Sequence, residues 1–122
     1  MKLTDHFTLD EFQSKDGAAM PAEVAINIYR VAMELEVLRR RVGKRITINS
    51  GYRSPAHNAA VGGAQNSQHM KGTAADIVVD GMKPEEVAAT IQALADQNKM
   101  QVGWMKIYPS FVHFDIRGVY GS

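Results

Sequence analysis

The chain of 122 residues contains no cysteine. Disulfides are therefore excluded, and a reducing compartment is compatible with the sequence. It also lacks a dominant charge: 14 Lys and Arg stand against 13 Asp and Glu, a net charge of +1. No basic field points to nucleic acid or to an anionic membrane. The nearest thing to one is Arg39-Arg40-Arg41, followed by Lys44 and Arg45. At the end of a predicted helix such a run suits a solvated C-terminal turn, so a nucleic-acid role is discarded. No apolar stretch approaches the roughly 18 residues needed to span a bilayer. Met1-Lys-Leu-Thr-Asp-His-Phe7 has no apolar core of signal-peptide length. The expectation is a protein that is cytoplasmic as synthesised and leaves only if it is exported or released. Repeats, low-complexity tracts and linker-like stretches are absent too.

What is present has the balance of a globular protein, 45% apolar and 22% charged. At this length a single domain, 1–122, can bury a real core. Thr8-Leu-Asp-Glu11 reads as a capping box, with Phe7 and Phe12 placed to staple a short first helix that Gly17 ends. The main helix follows Pro21 and runs to about Val42. Val24, Ile28, Val31, Leu35, Leu38 and Val42 form its apolar stripe, and Gly43 is its C-cap. Arg45–Asn49 alternates as a strand, Ser54-Pro55 opens a short helix closed by Gly62-Gly63, and Ala74–Asp80 is a second strand. Pro84 starts a helix with Val87, Ile91 and Leu94 inward, ending near Asn98. Two last strands, Gly103–Tyr108 and Phe111–Arg117, turn at Pro109-Ser110. Helices early and strands late predict an α+β domain with a mainly antiparallel sheet and helices packed on one side.

The chemistry concentrates in Ser67-Gln-His-Met-Lys-Gly-Thr-Ala-Ala-Asp76 and in Phe111-Val-His-Phe-Asp-Ile-Arg117. Alternation puts Asp76 on one face of its strand and Ile77 and Val79 on the other. In the last strand His113, Asp115 and Arg117 share a face opposite Val112, Phe114 and Ile116. Three ionisable groups in a row do not belong in a core unpaired. His69 precedes its strand on a loop that Gly72 lets turn back toward Asp76. Two imidazoles and one carboxylate make a ligand set that suits zinc with one position open for water, the mark of a catalytic rather than a structural site. Without cysteine, a closed thiolate site is excluded.

The spacing Ser67-x-His69-x-x-Gly72-x-Ala74-x-Asp76, followed by Val112-His113-Phe-Asp115, resembles the zinc D-Ala-D-Ala carboxypeptidases and their relatives. These include L-alanyl-D-glutamate endolysins and murein endopeptidases, which share the hedgehog/DD-peptidase fold. Ser50-Gly-Tyr-Arg-Ser54, Asn58 to Gly63 and Tyr108-Pro-Ser-Phe-Val-His113 extend the resemblance to nearly the whole chain. The opening His6–Phe12 looks like the start of the short, stand-alone branch. The resemblance implies a zinc metallopeptidase, with one Zn2+ per chain held by His69, Asp76 and His113. It implies Arg53 as the arginine that contacts substrate oxygens, and Ser67 as a hydrogen-bonding support near the site. Arg53 can instead merely pair with an acid near a turn.

One departure stands out. Many relatives place a glutamate three residues before the last histidine, or a histidine two before it. Here those positions are Ser110 and Phe111. Asp115 is then either the catalytic base or the acceptor that orients His113. His57 either lines the cleft or packs away from it, and His6 reads as structural. Trp104 and Tyr108 are shelves for substrate or core residues. The expected partner is a peptidoglycan peptide, with no nucleic acid and no membrane insertion, and the expected state is a monomer. The competing expectation is a catalytically inactive, zinc-stabilised cell-wall-binding or phage structural module.

Overall fold

The computed structural model describes residues 1–120. Six strands and three α-helices follow in the order β1 (Lys2–Thr4), β2 (Phe7–Thr8), α1 (Ala22–Val42), β3 (Ile46–Ser50), α2 (Pro55–Ala60), β4 (Ala74–Val79), α3 (Pro84–Asp96), β5 (Trp104–Ile107) and β6 (Val112–Asp115). The α+β expectation is met. Strands β3, β4, β6 and β5 form one sheet in that order, and every neighbour in it is antiparallel. A separate hairpin of β1 and β2 was not foreseen from the sequence.

The helix α1 forms where the apolar spacing demands it. Val24, Ile28, Val31, Leu35 and Leu38 are buried, and Gly43, at φ 64°, ends the helix with its N–H donating to the Arg39 carbonyl at 3.0 Å. Val87, Ile91 and Leu94 of α3 join the same cluster. Both helices bury these residues with Ala75, Ile77 and Val79 of β4 and Val112 and Phe114 of β6. Each buried Val, Ile, Leu or Phe among them contributes about 1.5–3 kcal/mol of burial free energy. Among the described residues no helix is long and apolar enough to cross a membrane.

Two glutamates on α1 are also buried, and both are satisfied. Glu36 accepts from the Thr4 hydroxyl at 2.7 Å, the His6 amide at 2.9 Å and the His6 ring Nδ1 at 2.6 Å, which ties the hairpin to the helix. Glu34 accepts from the Gln101 amide at 2.8 Å and the Tyr120 hydroxyl at 2.6 Å. Burial, with Glu34 as acceptor, pushes the Tyr120 hydroxyl up to about 12. His6 is thus the structural residue expected.

The first helix is shorter than the sequence suggested. It is a single 3-10 turn, Leu9–Phe12, and the extended Gln13 ends it rather than Gly17. Its capping contact is real: the Glu11 carboxylate accepts from the Thr8 amide at 2.6 Å. Phe7 and Phe12 are both buried, with ring centroids 6.2 Å apart. His69 also lies on a 3-10 turn, Gln68–Lys71, rather than on an irregular loop.

Candidate metal centre

Sheet register brings the candidate ligands together. Asp76 on β4 stands directly opposite His113 on β6, and on its other side pairs with Ser50 of β3. A one-residue bulge between Ile48 and Ser50 sets that second pairing, because it swaps which face the end of β3 presents. The third group, His69, arrives from outside the sheet. Its turn is capped by the Ser67 hydroxyl, which accepts from the His69 amide at 3.2 Å, and is closed by Gly72 at φ 75°. A Cβ on Gly72 would lie 2.8 Å from the Val24 carbonyl oxygen, so glycine is required there by both conformation and space.

The three residues offer ligand atoms all within 4.8 Å of one another. His69 Nδ1 lies 2.8 Å from the Gly51 carbonyl, which can only accept. That nitrogen therefore carries a proton, and Nε2, 3.2 Å from Asp76 Oδ1, is the one turned to the site. His113 faces the other way round: Nε2 donates to Asp115 Oδ2 at 2.8 Å, and Nδ1 lies 2.9 Å from Asp76 Oδ1. Each imidazole thus has one nitrogen fixed by an acceptor and the other aimed at a common point, the arrangement that metal-binding histidines use. The donor set of two nitrogens and one carboxylate oxygen fits one zinc ion with a coordination position to spare.

The electrostatics favour a charged cluster. Burial works against the Asp76 carboxylate, but hydrogen bonds from His113 and His69 outweigh it and hold the group at about 2. Burial likewise opposes charge on His113, yet bonds to Asp115 and Asp76 raise its pKa. Asp115 is driven upward by burial and downward by His113 and Arg117, with a net lowering.

The centre opens into a cleft of about 550 Å³. Arg53, Ser67, His69, Asp76, Trp104, Tyr108, Phe111, His113 and Arg117 line it, with residues 61–64 on one wall. Arg53 donates to the Ser50 hydroxyl at 3.1 Å and the Asn58 side-chain oxygen at 3.3 Å, and lies 3.4 Å from Asp76 Oδ2. Tyr108 and Phe111 stack at 4.5 Å, and Trp104 sets its ring edge-on to His113 at 5.4 Å.

Asp115 is not in the cleft. It has no exposed surface, and both oxygens are occupied by His113 and Arg117. His57 is half-buried on α2 and does not line the cleft. Sequence reasoning missed the Gly51 carbonyl and gave Arg117 no role. For Arg117 a signal existed, since it shares the strand face of His113 and Asp115.

Known proteins align with this picture. Residues 5–115 match the family described as Peptidase M15. A zinc D-Ala-D-Ala carboxypeptidase of Streptomyces albus G is 42% identical over 62 residues, which cover 50% of this chain and 24% of that protein. The match thus spans about a quarter of that curated relative's length. The crystal structure of the Serratia marcescens L-Ala D-Glu endopeptidase ChiX is similar in fold, with a TM-score of 0.50 at 21% identity, covering 80% of this chain and 88% of that one. The matched span contains every strand of the four-stranded sheet and all three ligand candidates, and on it the chain belongs to the Peptidase M15 family.

Proposed function

We propose that this chain is a zinc metallopeptidase that hydrolyses peptide bonds in peptidoglycan stem peptides or crosslinks, of the murein endopeptidase, endolysin or D-Ala-D-Ala carboxypeptidase type. The observation that carries this reading is the convergence of His69 Nε2, Asp76 Oδ1 and His113 Nδ1 on one point at the edge of an open cleft. Bound zinc supplies Lewis-acid polarisation of a carbonyl and a water of lowered pKa. The protein's own groups do the rest. Arg53, held by Ser50 and Asn58, presents its guanidinium to a carboxylate or carbonyl oxygen of the peptide. Ser67 holds the turn that aims His69. Trp104, Tyr108 and Phe111 give the peptide an aromatic wall that keeps water from one side of the cleft.

Of the two roles open to Asp115, the geometry favours orientation over proton transfer. A general base must reach the proton it takes, and the Asp115 oxygens are turned to His113 and Arg117 behind the cleft. The names borne by the two relatives, a zinc D-Ala-D-Ala carboxypeptidase and an L-Ala D-Glu endopeptidase, support peptidoglycan peptide as the substrate class. A cell-wall substrate fits action after release or as part of a phage particle, and the acting species in this reading is a monomer.

A second reading is favoured by one observation. Among the described residues, Asp76 is the sole carboxylate lining the cleft, and no imidazole lines it beyond His69 and His113. Ser110 and Phe111 stand where many relatives carry a glutamate or histidine. An inactive, zinc-stabilised cell-wall-binding or phage structural module fits that lack. Zinc content and digestion of purified peptidoglycan, with products identified by mass, separate the two. One zinc per chain with new amine termini supports the peptidase, and the fragment masses name the bond. One zinc without cleavage across several murein types favours the module. A chain that takes up no zinc overturns both.

A further inference from the structure

We infer that Arg117 is a positioning residue of the metal centre, acting through Asp115 on His113. The Asp115 carboxylate is fully buried and needs compensation. Arg117 grips it at both oxygens: Nε to Oδ1 at 2.9 Å and Nη2 to Oδ2 at 2.7 Å, with the Arg117 amide on Oδ1 at 3.2 Å. A carboxylate held in this way cannot rotate, so the direction in which Oδ2 accepts from His113 Nε2 is fixed. The aim of Nδ1 on the opposite edge of the ring is fixed with it.

Two other observations converge on the same group. The Arg117 guanidinium lies over the Trp104 ring at 4.6 Å, and Trp104 is the ring set edge-on to His113. One arginine thus steadies the imidazole both through its hydrogen-bond acceptor and through its packing neighbour. Gly103 makes this possible. A Cβ there would come within 2.3 Å of the Arg117 carbonyl oxygen and 2.4 Å of the Arg117 nitrogen, so β5 can approach the end of β6 only at a glycine. Arginine rather than lysine is required, because only a planar fork engages both carboxylate oxygens while stacking on an aromatic face. The Arg117 side chain is 44% exposed and contributes nothing to the apolar core, so what it adds is made through Asp115 and Trp104 beside the metal centre.

The inference rests on His113 as a ligand and not on hydrolysis. Zinc dissociation constants, measured by chelator competition on the full chain, test it. Arg117→Ala should bind zinc about 10-fold more weakly, while circular dichroism of the zinc-free protein is unchanged. In an Asp115→Asn background the same substitution should have a clearly smaller effect, because the hydrogen-bonded route to His113 is already cut and only the packing through Trp104 remains. Wild-type affinity in Arg117→Ala, or an equal loss in both backgrounds, overturns the inference. If Arg117→Ala does not fold, Arg117→Lys keeps a cation beside Asp115 without the fork. It should also weaken zinc, and an unchanged affinity there overturns the inference equally. His113→Ala is the control: retained stoichiometric zinc in that variant would overturn the ligand assignment itself, a failure distinct from the one at Arg117.

Discussion

Each imidazole of the centre has two nitrogens with different duties, and the division is set by neighbours that ask little of sequence. His69 is oriented by a backbone carbonyl, that of Gly51, and His113 by a side chain, Asp115. The ligands themselves were legible as candidates, because Asp76 and His113 alternate onto the strand faces opposite the apolar side chains and His69 precedes a Gly72 turn that can return it toward Asp76. The Gly51 carbonyl was not legible: every residue has one, so nothing marks this one as a partner. Asp115 was legible as a member of the site but not as to role, since alternation fixes a face and not a hydrogen-bond partner. The two roles separate on one variant. Asp115→Asn should weaken zinc by about 10–100-fold and lose peptidase turnover at low zinc, then recover most of it when zinc is saturating. Turnover that stays lost at full zinc occupancy would make Asp115 the base instead.

Among the elements, the sheet strands and long helices follow from pattern, and the short α2 from its Ser54-Pro55 start, while the other short pieces leave less trace. The stripe of α1 has six apolar positions at spacings of three and four, and the helix forms where they predict. A 3-10 turn of four residues, such as Gln68–Lys71, has no room for a period and leaves only its caps as a signal. The bulge before Ser50 is equally silent, since it breaks the alternation that would reveal it. So is the hairpin of β1 and β2, three residues paired with two. Gly72 is the exception, a local requirement visible in the sequence. Gly72→Ala forces a side chain into the left-handed region and against Val24, so it should destabilise the fold by about 1–2 kcal/mol. It should also weaken zinc by displacing the His69 turn. A thermal melt and a zinc titration check both halves of that expectation.

For the molecule as a whole, buried acids set the response to pH. Glu36 is driven up by burial, but the His6 ring, the Thr4 hydroxyl and the His6 amide hold it at about 2 against an ordinary 4.5. A depressed carboxyl stabilises the fold fully above its unfolded pKa and loses that contribution as pH falls through the folded one. Between pH 4.5 and about 2 the wild type should therefore lose stability more steeply than Glu36→Gln, by about 1–2 kcal/mol after solvent screening. Urea unfolding across that range measures the difference. Neither Glu34 nor Glu36 stood out in the sequence, because a charged residue on a helix gives no sign of which partner will close over it.

The pairing of Asp76 with His113 across adjacent strands has one more consequence. The separation of two ligands is dictated by the hydrogen-bond ladder of the sheet, and the third is pinned by a carbonyl of the strand-end segment. Folding alone should therefore build the socket, unlike small zinc domains that are unfolded until metal organises them. Chelation should strip the ion and leave an intact far-ultraviolet circular dichroism spectrum, with a melting temperature lowered only by the lost binding free energy. The metal would be a removable tool in a finished handle, so a depleted protein could wait, folded and inert, until zinc returned.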